Sequence, residues 1–292
     1  MDWTVNAQDW PMAAASRFIL SKPHKWHVQI AGDGPLILLI HGAGGATQSW
    51  RHLFPILAQN YRVIALDLPG QGFTKLGAQQ RCGLAEMAHD VAQLCKAENW
   101  TPSAIVGHSA GAAIALQMAA DIDGTPPRII GINAALDTFK GVAGFLFPVM
   151  AKTLAMLPLV ADMFVASASR GQAVQKLIDG TGSKLPASEI IFYKRLIRDR
   201  QHVNATLQMM AQWDLDPLIK GLGKIKAPSL LMAGDADQMV PWTVSQTAAG
   251  ALIDARFCKL EGFGHLAHEE DPQRVADIIT EFLSGKKFTA VN

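Results

Sequence analysis

Apolar residues in this chain gather in short continuous runs that alternate with stretches of helical periodicity. Leu36-Ile37-Leu38-Leu39-Ile40, Val63-Ile64-Ala65-Leu66, Ile105-Val106, Arg128-Ile129-Ile130-Gly131-Ile132 and Ser229-Leu230-Leu231-Met232-Ala233 have no polar alternation. Runs of this kind are expected of strands buried on both faces of a parallel sheet. Helices are predicted between them: around Trp50 to Ala58, near Leu84 to Glu98, after Ser109, near Val244 to Ala251, and from Pro272 to Leu283. A further strand is predicted at Arg256–Leu260. Ser16–Ser21 and Trp26–Ile30 instead alternate apolar and polar residues. Joined through Lys22-Pro23-His24-Lys25, they predict an antiparallel hairpin at one sheet edge. The Asp9-Trp10-Pro11 segment before them reads as an irregular arm. The fold class is therefore α/β, a mostly parallel doubly wound sheet with helices on both faces.

The alternation stops between about Asp137 and Asp214. Helical pieces there are broken by Pro148, Pro158, Gly171, Gly180, Gly182 and Pro186. The pattern predicts a core of residues 1–136 and 216–292 with a helical cap, 137–215, inserted into it. Gly144 to Ala166 is apolar enough to suggest a membrane segment. A spanning helix needs ~20 mostly uninterrupted apolar residues, and Pro148, Lys152, Pro158 and Asp162 interrupt this one. Cap helices facing a cavity are expected instead, and no transmembrane segment.

Composition narrows the class further. Hydrophobic residues are 49% and charged residues 17% of 292, which suits a globular chain rather than a disordered one. A formal net charge of +1 without basic blocks argues against nucleic acid as a partner. Cys82, Cys95 and Cys258 are far apart and odd in number, which suits a reducing compartment and suggests neither a disulfide framework nor a zinc site. The first residues lack a basic segment followed by an apolar one, so a cytoplasmic location is expected.

The chemistry centres on Gly107-His108-Ser109-Ala110-Gly111, a G-x-S-x-G pattern between an apolar strand and an alanine-rich helix. A sharp strand-to-helix turn holds the serine hydroxyl out in the open, and the two glycines let strand and helix pass closely. A serine needs a base to remove its proton, and the base needs an acid to fix its tautomer. Such parts sit on loops at the carboxyl ends of later strands. Asp235 and Asp237 compete after the Ser229–Ala233 run; Asp237, further out along the loop, is favoured, and Asp137 is a third candidate. After Leu260, glycines flank His265, the favoured base, while His268 is the rival, close to a helix start where Glu269, Glu270 and Asp271 suit the dipole. The oxyanion hole calls for two N–H donors. Ala110 can supply one, and the loop His41-Gly42-Ala43-Gly44-Gly45 the other, from Ala43. That loop lacks the Lys-Ser/Thr ending of a phosphate-binding loop. His41 and His108 beside these motifs are read as structural, the first ordering its loop and the second pointing into the sheet packing. No cofactor and no metal are expected.

Together the loop at His41, the turn Asp67 to Gly72, the elbow at Ser109, the acid loop at Asp237 and the histidine loop at His265 resemble the α/β-hydrolase fold over the whole chain. Serine at the elbow speaks against the dehalogenases and epoxide hydrolases of that fold, which carry aspartate there. A narrower resemblance lies in Asp9-Trp10-Pro11, Ala15-Ser16-Arg17-Phe18, Trp26-His27-Val28-Gln29, Thr47-Gln48-Ser49-Trp50-Arg51, Ile132-Asn133-Ala134-Ala135-Leu136, Gly180-Thr181-Gly182-Ser183 and Met209 to Leu215. These are similar to the magnesium-chelatase accessory hydrolases of bacteriochlorophyll biosynthesis in photosynthetic bacteria. The resemblance implies a role at or near magnesium insertion into protoporphyrin. The residues themselves lead to a serine hydrolase for a carboxylic ester or related acyl bond. Its pocket would be apolar, lined by Phe145, Phe147, Met150, Leu154 and Phe164, and suited to a bulky or flat substrate; the resemblance implies a tetrapyrrole-like one. The alternatives are a non-catalytic accessory protein that binds a tetrapyrrole or a magnesium-chelatase subunit, and a lyase or cofactor-free perhydrolase using the same three residues.

Overall fold

A computed structural model describes residues 1–77, 79–122, 124–137, 165 and 172–285. Eight strands form one sheet: β1 (Ser16–Ser21), β2 (His24–Ala31), β3 (Leu36–Ile40), β4 (Arg62–Leu66), β5 (Ala104–His108), β6 (Arg128–Ile132), β7 (Ser229–Gly234) and β8 (Ala255–Leu260). Their order is β1-β2-β4-β3-β5-β6-β7-β8. β1 and β2 pair antiparallel, as does β2 with β4, and every later neighbour is parallel. β3, β5 and β7 are buried along their whole length because both faces are covered. Leu38, Ile40, Ile64, Leu66, Ile105, Ile129 and Leu231 belong to one core layer. Their neighbours Ile37, Leu39, Val63, Ala65, Val106, Ile130, Leu230 and Met232 belong to the other. Each side chain of this size removed from water contributes about 1.5–3 kcal/mol, so the central strands anchor the loops at their ends.

The described helices are α1 (Trp3–Asn6), α2 (Leu53–Leu57), α3 (Leu84–Ala97), α4 (Ala110–Ala120), α5 (Ala173–Asp179), α6 (Ala187–Arg198), α7 (Arg200–Gln212), α8 (Asp216–Gly221), α9 (Trp242–Ala251), α10 (Ala267–Glu270) and α11 (Pro272–Leu283). α3, α4, α8 and α9 contribute to the first layer, α2 and α11 to the second. Two predicted elements differ in detail. The hairpin turn is tighter than expected, because His24 and Lys25 already belong to β2. The helix expected over Trp50 to Ala58 is split into a 3₁₀ turn, Thr47–Trp50, and α2. The Asp9-Trp10-Pro11 arm is not loose. Trp10 is buried and its indole N–H donates to Thr47 Oγ1.

α5, α6 and α7 lie between β6 and β7, the stretch in which no strand was expected. They are tied to the rest of the chain by buried polar contacts. Glu189 and Tyr193 on α6 reach Arg51 and Glu269 respectively, and Arg51 also pairs with Glu269. Burial alone would make the Arg51 guanidinium easier to neutralise; the Glu269 and Glu189 carboxylates together outweigh that and hold the charge in place. No described helix is long and apolar enough to cross a membrane.

Candidate active site

The strand-to-helix turn at Ser109 has the geometry its glycines demand. Ser109 adopts φ 52° and ψ −116°, a region that costs a side-chain-bearing residue of order 1–3 kcal/mol. A Cβ on Gly107 would sit 2.3 Å from the Gly111 carbonyl oxygen, and one on Gly111 would sit 2.1 Å from that of Ile40. The close crossing of strand and helix therefore excludes any other residue at either place. Ser109 is half-buried. Ala110 opens α4, so its N–H has no carbonyl earlier in the helix to meet.

The His41–Gly45 loop abuts this turn: a Cβ on Gly42 would lie 3.0 Å from Ser109 Cβ. His41 orders the loop. Its Nε2 accepts from the Leu68 N–H at 2.9 Å, so its Nδ1 carries the proton and donates to the Gly42 carbonyl at 2.7 Å. Within the loop the Gly44 N–H donates to Gln71 Oε1 and the Gly45 N–H to the Gly42 carbonyl. Both are committed, and Ala43, which is exposed, is the expected second donor.

Asp237 and His265 come from the loops after β7 and β8, which are neighbours in the sheet. His265 Nδ1 lies 2.7 Å from Asp237 Oδ2. With a carboxylate there, Nδ1 is the donor and Nε2 is left free to accept. The other carboxylate oxygen accepts from the Met239 and Val240 N–H groups at 2.7 and 2.9 Å. Burial pushes the Asp237 pKa up, but the hydrogen bond and charge of His265, with the Val240 N–H and the Asn133 amide, more than reverse it. The carboxyl is held below its ordinary 3.8. His108 donates from Nε2 to the His265 carbonyl at 2.8 Å, tying the residue before Ser109 to the histidine loop. Burial, then the nearby His265, pushes His108 down to about 3, so it stays neutral.

The competing residues have other partners. Asp235 accepts from the Gly262 N–H at 2.7 Å, linking acid loop to histidine loop. Asp137 is exposed. His268 is fully buried against Trp50 and His108, and neither of its ring nitrogens has a hydrogen-bonding partner among the described residues. Of the three acids after it, only Asp271 caps a helix, accepting from the Arg274 N–H. Glu269 is drawn to Arg51, and Glu270 accepts from the Gly264 N–H. Phe145, Phe147, Met150, Leu154 and Phe164 lie outside the described residues.

Two further residues join the site without having been singled out. Asn133, at the end of β6 with φ 48°, donates from Nδ2 to Asp237 Oδ2 at 2.7 Å. His202 on α7 accepts from the Gly72 N–H at Nδ1 and donates from Nε2 to the Gly44 carbonyl at 3.1 Å. Burial, with the neighbouring His41, lowers its pKa to about 4. The only local signal for Asn133 is its tolerance of left-handed backbone at a strand end.

Comparison with known proteins agrees with this architecture. Residues 35–272 match the family model described as the alpha/beta hydrolase fold. The chain is 44% identical over 288 residues to the "Magnesium-chelatase 30 kDa subunit" of Rhodobacter capsulatus, covering 98% of this chain and 100% of that one. It is 27% identical to the pimeloyl-[acyl-carrier protein] methyl ester esterase of Xanthomonas campestris, over 88% of this chain and 98% of the other. In three dimensions it is similar to a candidate lipase from Acinetobacter baumannii AYE, with a TM-score of 0.80 and 22% identity, covering 98% and 96% of the two chains. The chain belongs to the α/β-hydrolase fold family and, within it, to the family of the magnesium-chelatase 30 kDa subunit.

Proposed function

We propose that the protein is a serine hydrolase that cleaves a carboxylic ester or related acyl bond of a bulky, apolar, tetrapyrrole-like substrate. Ser109 Oγ attacks the acyl carbon while His265 Nε2 takes its proton. The negative charge that develops on the carbonyl oxygen is met by the N–H groups of Ala110 and Ala43, each donor of this kind being worth about 3 kcal/mol. His265 then protonates the leaving oxygen as its bond to the acyl carbon breaks. Water attacks the acyl-enzyme, gives its proton to His265, and the acid departs with Ser109 restored. Asp237 holds His265 in the tautomer this sequence needs and stabilises its cation. The observation that carries the reading is the 2.7 Å hydrogen bond from His265 Nδ1 to Asp237 Oδ2, which leaves Nε2 for the serine.

The test is labelling by a fluorophosphonate probe at a pH where His265 is neutral. Native protein should label and Ser109→Ala should not; an unlabelled native protein overturns an active triad.

Kinship with a protein named as a magnesium-chelatase subunit favours a role at the magnesium-insertion step of bacteriochlorophyll synthesis. The same name supports a second reading, a non-catalytic accessory protein that holds a tetrapyrrole or a chelatase subunit. Complementation separates the two. Pigment synthesis restored in full by Ser109→Ala favours binding; failure by a folded Ser109→Ala protein favours catalysis. Product analysis distinguishes hydrolysis from lyase or perhydrolase chemistry.

A further inference from the structure

The segment that follows α5 runs between the acid loop and the histidine loop. The Thr181 carbonyl accepts from the Gln238 N–H at 3.2 Å and from the His265 N–H at 3.1 Å. One oxygen thus joins the residue after Asp237 to His265 itself. Ser183 Oγ accepts from the Leu266 N–H at 2.8 Å. The Glu270 carboxylate closes the arrangement, accepting from the Gly264 N–H at 2.8 Å and from the Lys184 N–H at 3.3 Å. Thr181 is itself fixed, its hydroxyl donating to the Ile178 carbonyl at 2.6 Å. The packing leaves no room for adjustment. Gly182 has φ 79°, and a Cβ there would meet the Ala236 carbonyl oxygen at 2.0 Å; a Cβ on Gly264 would meet the Ser183 nitrogen at 2.3 Å.

Both main-chain polar groups of His265 are therefore held from outside its own loop, the N–H by Thr181 and the C=O by His108. We propose that Thr181–Lys184 is a positioning strap: this part of the inserted segment sets His265 against Asp237, and catalysis depends on it through backbone contacts. The proposal rests on the triad reading above. An imidazole displaced by about 1 Å can lose on the order of a hundredfold in rate, so a small change in the strap has a large effect at the serine.

The experiment uses the full chain with Ser183→Ala, Ser183→Thr and Gly182→Ala. The first readout is the rate of fluorophosphonate labelling. The second is the far-downfield proton resonance of the His265 Nδ1–H···Asp237 hydrogen bond, assigned by its loss in His265→Gln. Ser183→Ala should slow labelling about 10- to 100-fold and shift or broaden the resonance, with an unchanged circular dichroism spectrum. Ser183→Thr, which keeps the hydroxyl, should restore most of the rate, and Gly182→Ala should lose more than Ser183→Ala. Folded Ser183→Ala with native labelling and an unmoved resonance overturns the strap. If Gly182→Ala fails to fold, Ser183→Ala decides. If native protein does not label, the triad reading fails, and the resonance still judges the strap: moved supports it, unmoved overturns it.

Discussion

The Asn133 amide and the Asp237 carboxylate are joined by a 2.7 Å hydrogen bond to Oδ2, the oxygen that also receives the His265 Nδ1–H. Asn133 therefore helps to keep Asp237 ionised and turned toward the imidazole. Asn133→Asp would set a second carboxyl group beside Asp237, and two carboxyls that close compete for one proton. Fluorophosphonate labelling should slow by more than about tenfold, because Asp237 loses an orienting donor and the imidazole gains a rival partner. Asn133→Ala should slow labelling about tenfold through loss of the donor alone.

Ser109 carries backbone strain that a glycine would not. Ser109→Gly should be more stable to denaturant than the native chain, by about 1 kcal/mol of unfolding free energy. Ser109→Ala, which keeps a Cβ at the same φ of 52°, should show no such gain. Both should be unlabelled. A glycine variant no more stable than the alanine variant would mean that the turn relaxes at no cost.

His108 and His202 resist protonation in the folded chain, with pKa values pushed down to about 3 and about 4 from an ordinary 6.5. Below pH 6.5 the unfolded chain takes up protons at these residues and the folded chain does not. The unfolded state then binds more protons, so stability rises with pH. Their contribution is complete above about 6.5 and is lost as the pH falls toward about 4 and then 3. Urea unfolding at pH 7 and pH 5 should differ by about 2 kcal/mol for each histidine. His202→Gln should reduce the difference by about 2 kcal/mol.

His268 buries two ring nitrogens without a hydrogen-bonding partner among the described residues. An unmet polar group of this kind costs about 1–3 kcal/mol. Burial, with His108 close by, also lowers the pKa of His268 well below 6.5. His268→Leu should raise the free energy of urea unfolding at pH 7 by about 1 kcal/mol and raise it more at pH 5. A loss of stability at both pH values would show that the imidazole is doing something its neighbours do not reveal.

Much of this architecture is legible in the sequence. Leu36–Ile40 and Ser229–Ala233 announce themselves because strands covered on both faces need no polar residues. The elbow was readable because its glycines answer a local collision between Gly107 and Gly111. Asp237 is favoured over Asp235 by loop position alone, and it lies 2.7 Å from His265 Nδ1. Asn133 was not readable as a partner of Asp237, because its place depends on β6 lying beside β7, a property of sheet order. Thr181 was still less accessible. It acts through its carbonyl, which every residue possesses, so its side chain carries no sign of the role. His202 reaches the Gly44 carbonyl across 158 positions of sequence, and no local pattern marks that contact.

The buried contacts of Arg51 with Glu189 and Glu269 have a bearing on protein engineering. Grafting α6 from a relative with a neutral residue at position 189 would strand part of a cation in a place water does not reach. Exchanging α6 alone therefore works against stability; a viable graft carries its anchoring ions from both sides of the seam.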